Sequence, residues 1–124
     1  IIFCPSNPFL SIDPILSINR IRKLIEKHRK PRVAISPIVG HESVKGPTSK
    51  LMKEMGIEVS ALSIAKHYHG LIDGIIIDKS DEKQIEEIRK MGIEVKLAEI
   101  IVNTEEEKMR LAEESTEFIQ EIAL

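Results

Sequence analysis

The chain has 124 residues, of which 42% are hydrophobic and 31% charged with both signs mixed, a composition that argues against a disordered protein. The formal net charge is −2 and aromatic residues make up only 3%, so a nucleic-acid-binding surface, which needs basic residues or stacking rings, is not expected. The length is sufficient for one domain with a hydrophobic core.

The N-terminal segment has the pattern of a buried strand followed by a turn and a helix. Residues 1–4 form a short apolar run that Pro5 ends, and Cys4 is predicted to be buried and inert. Asp13 and Pro14 are predicted to begin a helix, because Asp is a preferred cap and Pro suits the first helical position. Since the run begins at the first residue without an initiator Met, we expect a piece of a longer protein.

The turn between this strand and helix has the composition of an anion-binding site. Ser6, Asn7 and Ser11 are short polar side chains, and Pro8 stiffens the turn. A phosphate bound there would meet hydroxyls, an amide and backbone N–H groups at the positive end of a helix dipole. Because Ser, Asn and Pro also dominate turns that bind nothing, a purely structural turn is the competing interpretation.

Helices and strands alternate along the rest of the chain. In order, we predict an amphipathic helix over 15–25, a strand over 33–35, an irregular Gly- and Pro-rich loop over 38–47, helices over 47–56 and 60–70, a strand over 74–78, a helix over 80–92, a strand over 95–102 and a helix capped by Thr104. Residues 74–78 are apolar on both faces, which is typical of a central parallel strand. The predicted fold class is therefore α/β with a parallel sheet.

The turns after the first three strands should meet at one edge of this sheet, where open parallel sheets bind ligands. Ser36 and Lys45 follow the second strand and would add a hydroxyl and an ammonium group to a phosphate site there. A solvated surface lysine is the competing interpretation for Lys45.

The histidines and two aspartates are weaker candidates for chemistry. His41, His67 and His69 could bind a metal, but two of them lie two apart on a predicted helix and face different directions, so solvated side chains are favoured. Asp73 and Asp78 flank the central strand, and Asp78, at its C-terminal end, could hold Mg²⁺ or a hydroxyl, with strand-end capping as the favoured interpretation.

Nothing in the sequence indicates secretion or membrane insertion. A single cysteine cannot form an internal disulfide or a structural zinc site. No apolar run reaches the roughly 20 residues that span a bilayer, and no signal peptide is visible. We therefore expect a cytoplasmic protein with neither a membrane nor a nucleic-acid partner.

Five short motifs between Ile1 and Asp78 are more informative together than separately. They are Phe3-Cys4-Pro5-Ser6-Asn7-Pro8 with Ser11-Ile12, Ala34-Ile35-Ser36-Pro37-Ile38-Val39-Gly40, Val44-Lys45-Gly46-Pro47, Glu58-Val59-Ser60-Ala61-Leu62, and Asp73-Gly74 leading into Ile77-Asp78. In this order and spacing they resemble the C-terminal part of the 2-phospho-L-lactate transferase family, which builds coenzyme F-420. Two positions depart from the pattern, since His41 and Ser63 stand where Gly is commoner in the family.

This resemblance implies an enzyme. Such transferases move a phospholactyl group from lactyl-2-diphospho-5′-guanosine, a guanosine diphospho-lactate donor, to the deazaflavin 7,8-didemethyl-8-hydroxy-5-deazariboflavin, and release GMP with Mg²⁺ present. The resemblance further implies an incomplete three-layer Rossmann-like sandwich, in which residues 1–124 are the C-terminal, nucleotide-side part of one transferase domain. A homodimer is also implied.

The same resemblance places the donor nucleotide at Ser6, Asn7, Pro8 and Ser11, in agreement with the anion site inferred from their chemistry. Ser36 and Lys45 are expected beside it. The catalytic residues and the metal ligands are expected upstream of Ile1, so this chain alone is expected to be inactive.

The alternative function is a non-enzymatic, nucleotide-sugar-binding regulatory protein of the same fold. Proteins of that kind carry a Gly-rich loop where this chain has Ser6-Asn7-Pro8, which favours the enzyme.

Overall fold

The computed structural model describes residues 1–124 and contains six strands and six α-helices. The strands are β1 (Ile2–Phe3), β2 (Val33–Ile35), β3 (Ile38–Val39), β4 (Glu42–Ser43), β5 (Gly74–Asp78) and β6 (Glu94–Ala98). The helices are α1 (Asp13–Leu16), α2 (Asn19–Glu26), α3 (Thr48–Glu54), α4 (Ala61–His67), α5 (Ile85–Arg89) and α6 (Glu105–Ala123). A π-helical turn (Pro8–Ile12) precedes α1, and a 3-10 segment (Lys79–Gln84) precedes α5.

Four strands form one parallel sheet in the order β1-β2-β5-β6. Ala34 of β2 pairs with Phe3 on one side and Ile75 on the other, and Ile75 pairs with Val95 of β6. The predicted α/β class and the parallel sheet are therefore confirmed. The parallel arrangement also places the turns after β1, β2 and β5 at the same edge of the sheet, as expected.

The sheet lies between two apolar layers. Because successive side chains of a strand point to opposite faces, Ile75 and Ile77 pack on one face and Ile76 on the other. The first face packs against residues of α1, α3, α4 and α5, and the second against Leu111 and Phe118 of α6. These three layers are those of the predicted sandwich.

Gly74, at the start of β5, is where α6 approaches the sheet most closely. A Cβ atom at this position would lie 2.5 Å from Cδ1 of Ile122 and 2.9 Å from Cε1 of Phe118. The missing side chain therefore allows the last turns of α6 to rest directly on the backbone of β5.

Polar caps define two helix starts where they were predicted. The Ser60 hydroxyl accepts the Ser63 N–H at 3.1 Å and begins α4. Thr104 begins α6 in a capping box, in which its hydroxyl accepts the Glu107 N–H while the Glu107 carboxylate accepts the Thr104 N–H.

Three predicted elements differ in the structure. The helix expected over 15–25 is broken into α1 and α2. The Ser17 hydroxyl donates to the Pro14 carbonyl oxygen at 2.6 Å, and the backbone of Ile18 is extended, so α1 ends there. The helix expected over 80–92 begins as the 3-10 segment that Asp78 caps. The last strand ends at Ala98 instead of continuing to residue 102.

The loop over 38–47, expected to be irregular, contains the antiparallel hairpin β3–β4. Val39 pairs with Glu42, so the hairpin turn consists of Gly40 and His41 alone. Gly40 has a φ of +61°, at the position that glycine takes in type II′ hairpin turns. His41 has no positive φ, so its side chain causes no strain at this turn.

The two outer strands of the sheet, β1 and β6, differ in composition. At one edge, β1 pairs only with β2, and Ile2 is 40% exposed. Cys4, expected to be buried, is exposed because it follows the buried Phe3 and successive side chains of a strand point to opposite faces. The opposite edge, β6, carries Glu94 and Lys96. No helix of the structure has both the length and the apolar character needed to cross a membrane.

Candidate functional site

Asn7 organises the turn that follows β1. Its carbonyl oxygen accepts the Ser11 N–H at 2.9 Å and the Ile12 N–H at 3.3 Å, and the second of these bonds gives the π-helical geometry. Its side-chain Oδ1 accepts the N–H groups of Phe9 and Leu10, each at 3.0 Å. Asn7 is thus the cap of the first helical turn.

Asp13 does not have the capping role that the sequence suggested. It is the first residue of α1, and Ile12 before it makes no side-chain cap. The reason is that the chain already enters a helical conformation at Pro8, which is buried at the start of the π-helical turn and fits there because it has no N–H to satisfy.

The side-chain amide nitrogen of Asn7 has no hydrogen-bond partner although it is buried. The assignment of the two amide atoms follows from the two N–H groups that Oδ1 accepts. A buried donor without a partner costs about 1–3 kcal/mol and is rare in native proteins. This nitrogen is therefore a candidate donor for a group bound from outside the chain.

Three other predicted residues lie on the same turn. Ser6 is half-buried, and its N–H donates to the Cys4 carbonyl at 2.7 Å. Pro8 is buried beneath the turn, and Ser11 is exposed. The structure thus brings Ser6, Asn7 and Ser11 together at the edge of the sheet where a ligand was expected.

Helix α4 holds this turn in place. Nε2 of His67 lies 2.8 Å from Oδ1 of Asp13, and the rings of His67 and Phe9 meet edge to face with centroids 4.8 Å apart. His67 is therefore a structural partner of the turn, and the expectation that it is merely solvated is wrong. His41 and His69 are exposed, as expected.

Tyr68 lies beneath the same region. Its ring packs 5.2 Å from that of Phe3, and its hydroxyl is buried without a hydrogen-bond partner. Burial raises the pKa of Tyr68 well above its usual range, and the Asp13 carboxylate raises it further, so the phenol stays protonated.

The loop after β2 lies beside the Asn7 turn because β1 and β2 are neighbours. Ser36 in this loop is fully buried, and its hydroxyl lies 3.1 Å from both the N–H and the carbonyl oxygen of Ile38. Its hydroxyl shapes the entry to the hairpin. Lys45 is exposed beyond the hairpin. Nucleotide binding by these two residues stays a prediction.

Asp78 caps the end of β5, as favoured from the sequence. Its Oδ1 accepts the Ser80 N–H at 3.0 Å and the Ser80 hydroxyl at 2.7 Å, and its Oδ2 accepts the Ile100 N–H at 3.3 Å. Burial alone would raise the pKa of Asp78, but these donors lower it below its usual value.

Asp81 is a carboxylate that sequence reasoning missed. It is only 5% exposed, and both of its oxygens lie 3.1 Å from the backbone nitrogen of Gly40 in the hairpin turn. Nε2 of Gln84 donates a further bond at 3.2 Å. Burial raises the pKa of Asp81 above its usual value, and although the Gly40 N–H opposes this rise, the Asp78 carboxylate adds to it.

Asp73 lies directly before β5, at the opposite end of the strands from the Asn7 turn, and forms an ion pair with Arg32. The guanidinium donates to Oδ1 at 2.7 Å and to Oδ2 at 3.0 Å, and the Arg32 backbone N–H also donates to Oδ2 at 2.8 Å. These bonds lower the pKa of Asp73. Its role is to join the starts of two strands.

The turns after β1, β2 and β5 have side chains that suit an anion better than a metal ion. It offers a buried amide donor and serine hydroxyls, with a lysine in the neighbouring loop. Three or more His, Cys, Asp or Glu side chains that could hold a metal ion do not come together in this structure. The carboxylates nearest this edge, Asp78 and Asp81, already accept N–H groups of the chain.

Known proteins resemble this chain over almost its whole length. Residues 1–119 match the sequence profile of a family described as 2-phospho-L-lactate transferase CofD. The chain is 42% identical over 118 residues to the 2-phospho-L-lactate transferase of Methanocaldococcus jannaschii, covering 95% of this chain and 36% of that protein. It is 34% identical over 123 residues to the phosphoenolpyruvate transferase of Streptomyces griseus, covering 98% and 39%. The chain thus spans less than two fifths of the length of these curated relatives.

Proposed function

Because the chain belongs to the 2-phospho-L-lactate transferase CofD family, we propose that the full-length protein is a phospholactyl transferase of coenzyme F-420 biosynthesis. Its donor would be lactyl-2-diphospho-5′-guanosine, and its acceptor the deazaflavin 7,8-didemethyl-8-hydroxy-5-deazariboflavin. The 124 residues would form the nucleotide side of the enzyme and would not turn over by themselves. We further propose that the full-length protein is cytoplasmic and that it forms a homodimer. Sedimentation of the full-length protein would test the homodimer.

The single observation that supports this proposal best is the buried, unpartnered amide nitrogen of Asn7. A diphosphate presents oxygens that only accept hydrogen bonds, and a fixed amide donor is complementary to them. The hydroxyls of Ser6 and Ser11 lie on the same turn and can donate to the same group. Lys45 would add a compact positive charge from the neighbouring loop.

In the proposed reaction a primary hydroxyl of the deazaflavin forms a bond to the phosphorus that carries lactate. The hydroxyl would pass its proton to a general base, which we expect upstream of Ile1, and the bond between this phosphorus and the bridging oxygen of GMP would break, so that its electron pair leaves with GMP. Negative charge therefore grows on the departing phosphate. The donors of the Asn7 turn and Lys45 would stabilise that charge, which is the main way proteins accelerate phosphoryl transfer.

Magnesium is part of the proposal only for the full-length protein. When bound, it would help to neutralise the diphosphate and the departing phosphate. The 124 residues do not provide a fitting metal site, since their acidic and histidine side chains do not gather in groups of three or more. We therefore assign no metal ligand and no step of the reaction to a metal in this chain.

The acid carried by the donor has a second candidate. Relatives from Streptomyces that align with 98% of this chain are named phosphoenolpyruvate transferases. The Asn7 turn would bind the diphosphate in either case. Turnover of the full-length protein with the lactyl donor and with its phosphoenolpyruvyl counterpart, each supplied with the deazaflavin, distinguishes the two functions.

The turn itself is tested by replacing Asn7 with Asp in the full-length protein. This variant keeps an oxygen that can cap the helical turn, but it removes the amide donor and adds a negative charge. We expect GDP to bind about 5- to 150-fold more weakly in calorimetry, which corresponds to a loss of about 1–3 kcal/mol for a buried polar contact. Asn19→Asp, on the exposed first residue of α2, makes the same chemical change and should leave the affinity unaltered. Unchanged GDP affinity in the Asn7 variant would remove the turn from the site.

A further inference from the structure

The hairpin that precedes Lys45 has few contacts of its own. Strands β3 and β4 have two residues each. Its turn is held from outside at two points, where the Gly40 N–H donates to Asp81 at 3.1 Å and Nδ1 of His41 lies 3.0 Å from the Val59 carbonyl oxygen. The loop that follows is held locally by the Ser43 hydroxyl, which donates to the Gly46 carbonyl oxygen at 2.9 Å, and the two contacts from outside connect the hairpin turn to the rest of the domain.

Asp81 is connected to helix α4 through Gln84. Oε1 of Gln84 accepts the Leu62 N–H at 2.7 Å, which fixes the orientation of the amide and leaves its Nε2 to donate to Asp81 at 3.2 Å. Asp81 thus accepts bonds from the hairpin turn on one side and from Gln84 on the other. Because both neighbours are donors, only a group that accepts on both sides satisfies this position.

Helix α4 contacts both candidate ligand segments. Leu62, in its first turn, is joined through Gln84 and Asp81 to the Gly40 turn, and His67, at its other end, is paired with Asp13 beside the Asn7 turn. Helix α4 therefore connects the two segments to one another.

Asp81 is costly to keep as a charged group. It is almost fully buried and has no cationic partner within salt-bridge distance. Burying a carboxylate without a counter-ion is unfavourable, and burial raises the pKa of Asp81 accordingly. A carboxylate buried at this cost is better explained by the geometry that it imposes.

We propose that Asp81 is a positioning residue for nucleotide binding, which fixes the Gly40 turn to α4 and so places the Lys45 loop opposite the Asn7 turn. The proposal rests on the proposed function for the identity of the ligand. It does not require Asp81 to touch the nucleotide or the reacting atoms.

The test compares three variants of the full-length protein. Asp81→Ala removes both acceptors, Asp81→Asn keeps one oxygen for the Gly40 N–H, and Glu82→Gln is a control on the exposed neighbour. Amide hydrogen exchange over residues 40–46 reports the order of the loop without any ligand. Titration with GDP reports the site, and KM is measured against kcat with the lactyl donor.

We expect Asp81→Ala to accelerate exchange over residues 40–46 but not in β6 or α6, and to weaken GDP binding by about tenfold. KM for the donor should rise more than kcat falls, and Asp81→Asn, which keeps only one acceptor oxygen, should recover only part of the loss. If Asp81→Ala does not fold, Gln84→Leu breaks the same connection without removing the carboxylate, and it should accelerate exchange in the same loop.

Unchanged exchange over residues 40–46, or acceleration spread equally over the whole chain, would overturn the positioning role. Failure of the wild-type protein to bind GDP would instead overturn the proposed function and the ligand assigned here. The exchange comparison would then still decide whether Asp81 holds the loop.

Discussion

Replacing Gly74 with Ala should destabilise the fold, because the new methyl group enters the contact between β5 and α6. Its carbon would lie 2.5 Å from Cδ1 of Ile122 and 2.9 and 3.0 Å from two ring carbons of Phe118, whereas favourable carbon contacts lie at about 3.5–4.0 Å. The Ile122 methyl can move aside, but the Phe118 ring is almost fully buried. Overpacking costs about 1–3 kcal/mol, and the lower entropy of the unfolded variant offsets about 0.4–1 kcal/mol. We expect a net loss of about 1–2 kcal/mol.

A double-mutant cycle tests this reasoning. Ile122→Val deletes the nearest methyl group, so the cost of Gly74→Ala should be smaller in that background, although the two Phe118 contacts should keep it above zero. The free energies come from urea unfolding followed by far-ultraviolet circular dichroism, since the chain has no tryptophan. Equal stability of Gly74→Ala and the wild type, or an identical cost in both backgrounds, would refute the proposed clash.

Two further predictions concern polar contacts. Arg32 lowers the pKa of Asp73, so this carboxylate stabilises the fold above its unfolded value of about 4 and loses that effect as the pH falls through its lower folded value. The stability difference between the wild type and Asp73→Asn should therefore be full at pH 7 and shrink below pH 4 in urea titrations, and a constant difference would contradict the ion pair. Thr104→Ala should destabilise the fold by about 1 kcal/mol through loss of the α6 cap, whereas Thr116→Ala, on the exposed face of the same helix, should have a smaller effect in thermal unfolding.

Local signals in the sequence were sufficient for most of the helix and strand pattern. Thr104 and Ser60 satisfy N–H groups only three residues away, so their caps depend on nothing beyond the adjacent chain. The continuous apolar run of Gly74–Asp78 requires cover on both faces, and this requirement correctly predicted a central strand.

Contacts between distant residues could not be predicted in the same way. Asp81 meets Gly40, and Asp73 meets Arg32, across 41 residues in each case, and no spacing rule identifies such pairs. Cys4 was expected to be buried because its neighbours are apolar, but only one face of β1, the face of Phe3, is covered by the core. The Asn7 turn was correctly placed beyond the first strand, whereas its unpartnered amide became apparent only when the other atoms that surround it were known.

The contrast between the outer strands β1 and β6 has a practical consequence for handling the 124-residue chain. Charged side chains on an edge strand oppose pairing with another molecule, and β6 has both Glu94 and Lys96, the latter paired with Glu121 at 3.3 Å. Strand β1 has no charged side chain. Its Ile2 is exposed, and so is Cys4, which follows the strand directly. We therefore expect concentrated samples to associate through β1, and air oxidation of Cys4 to trap those dimers covalently unless a reductant is present.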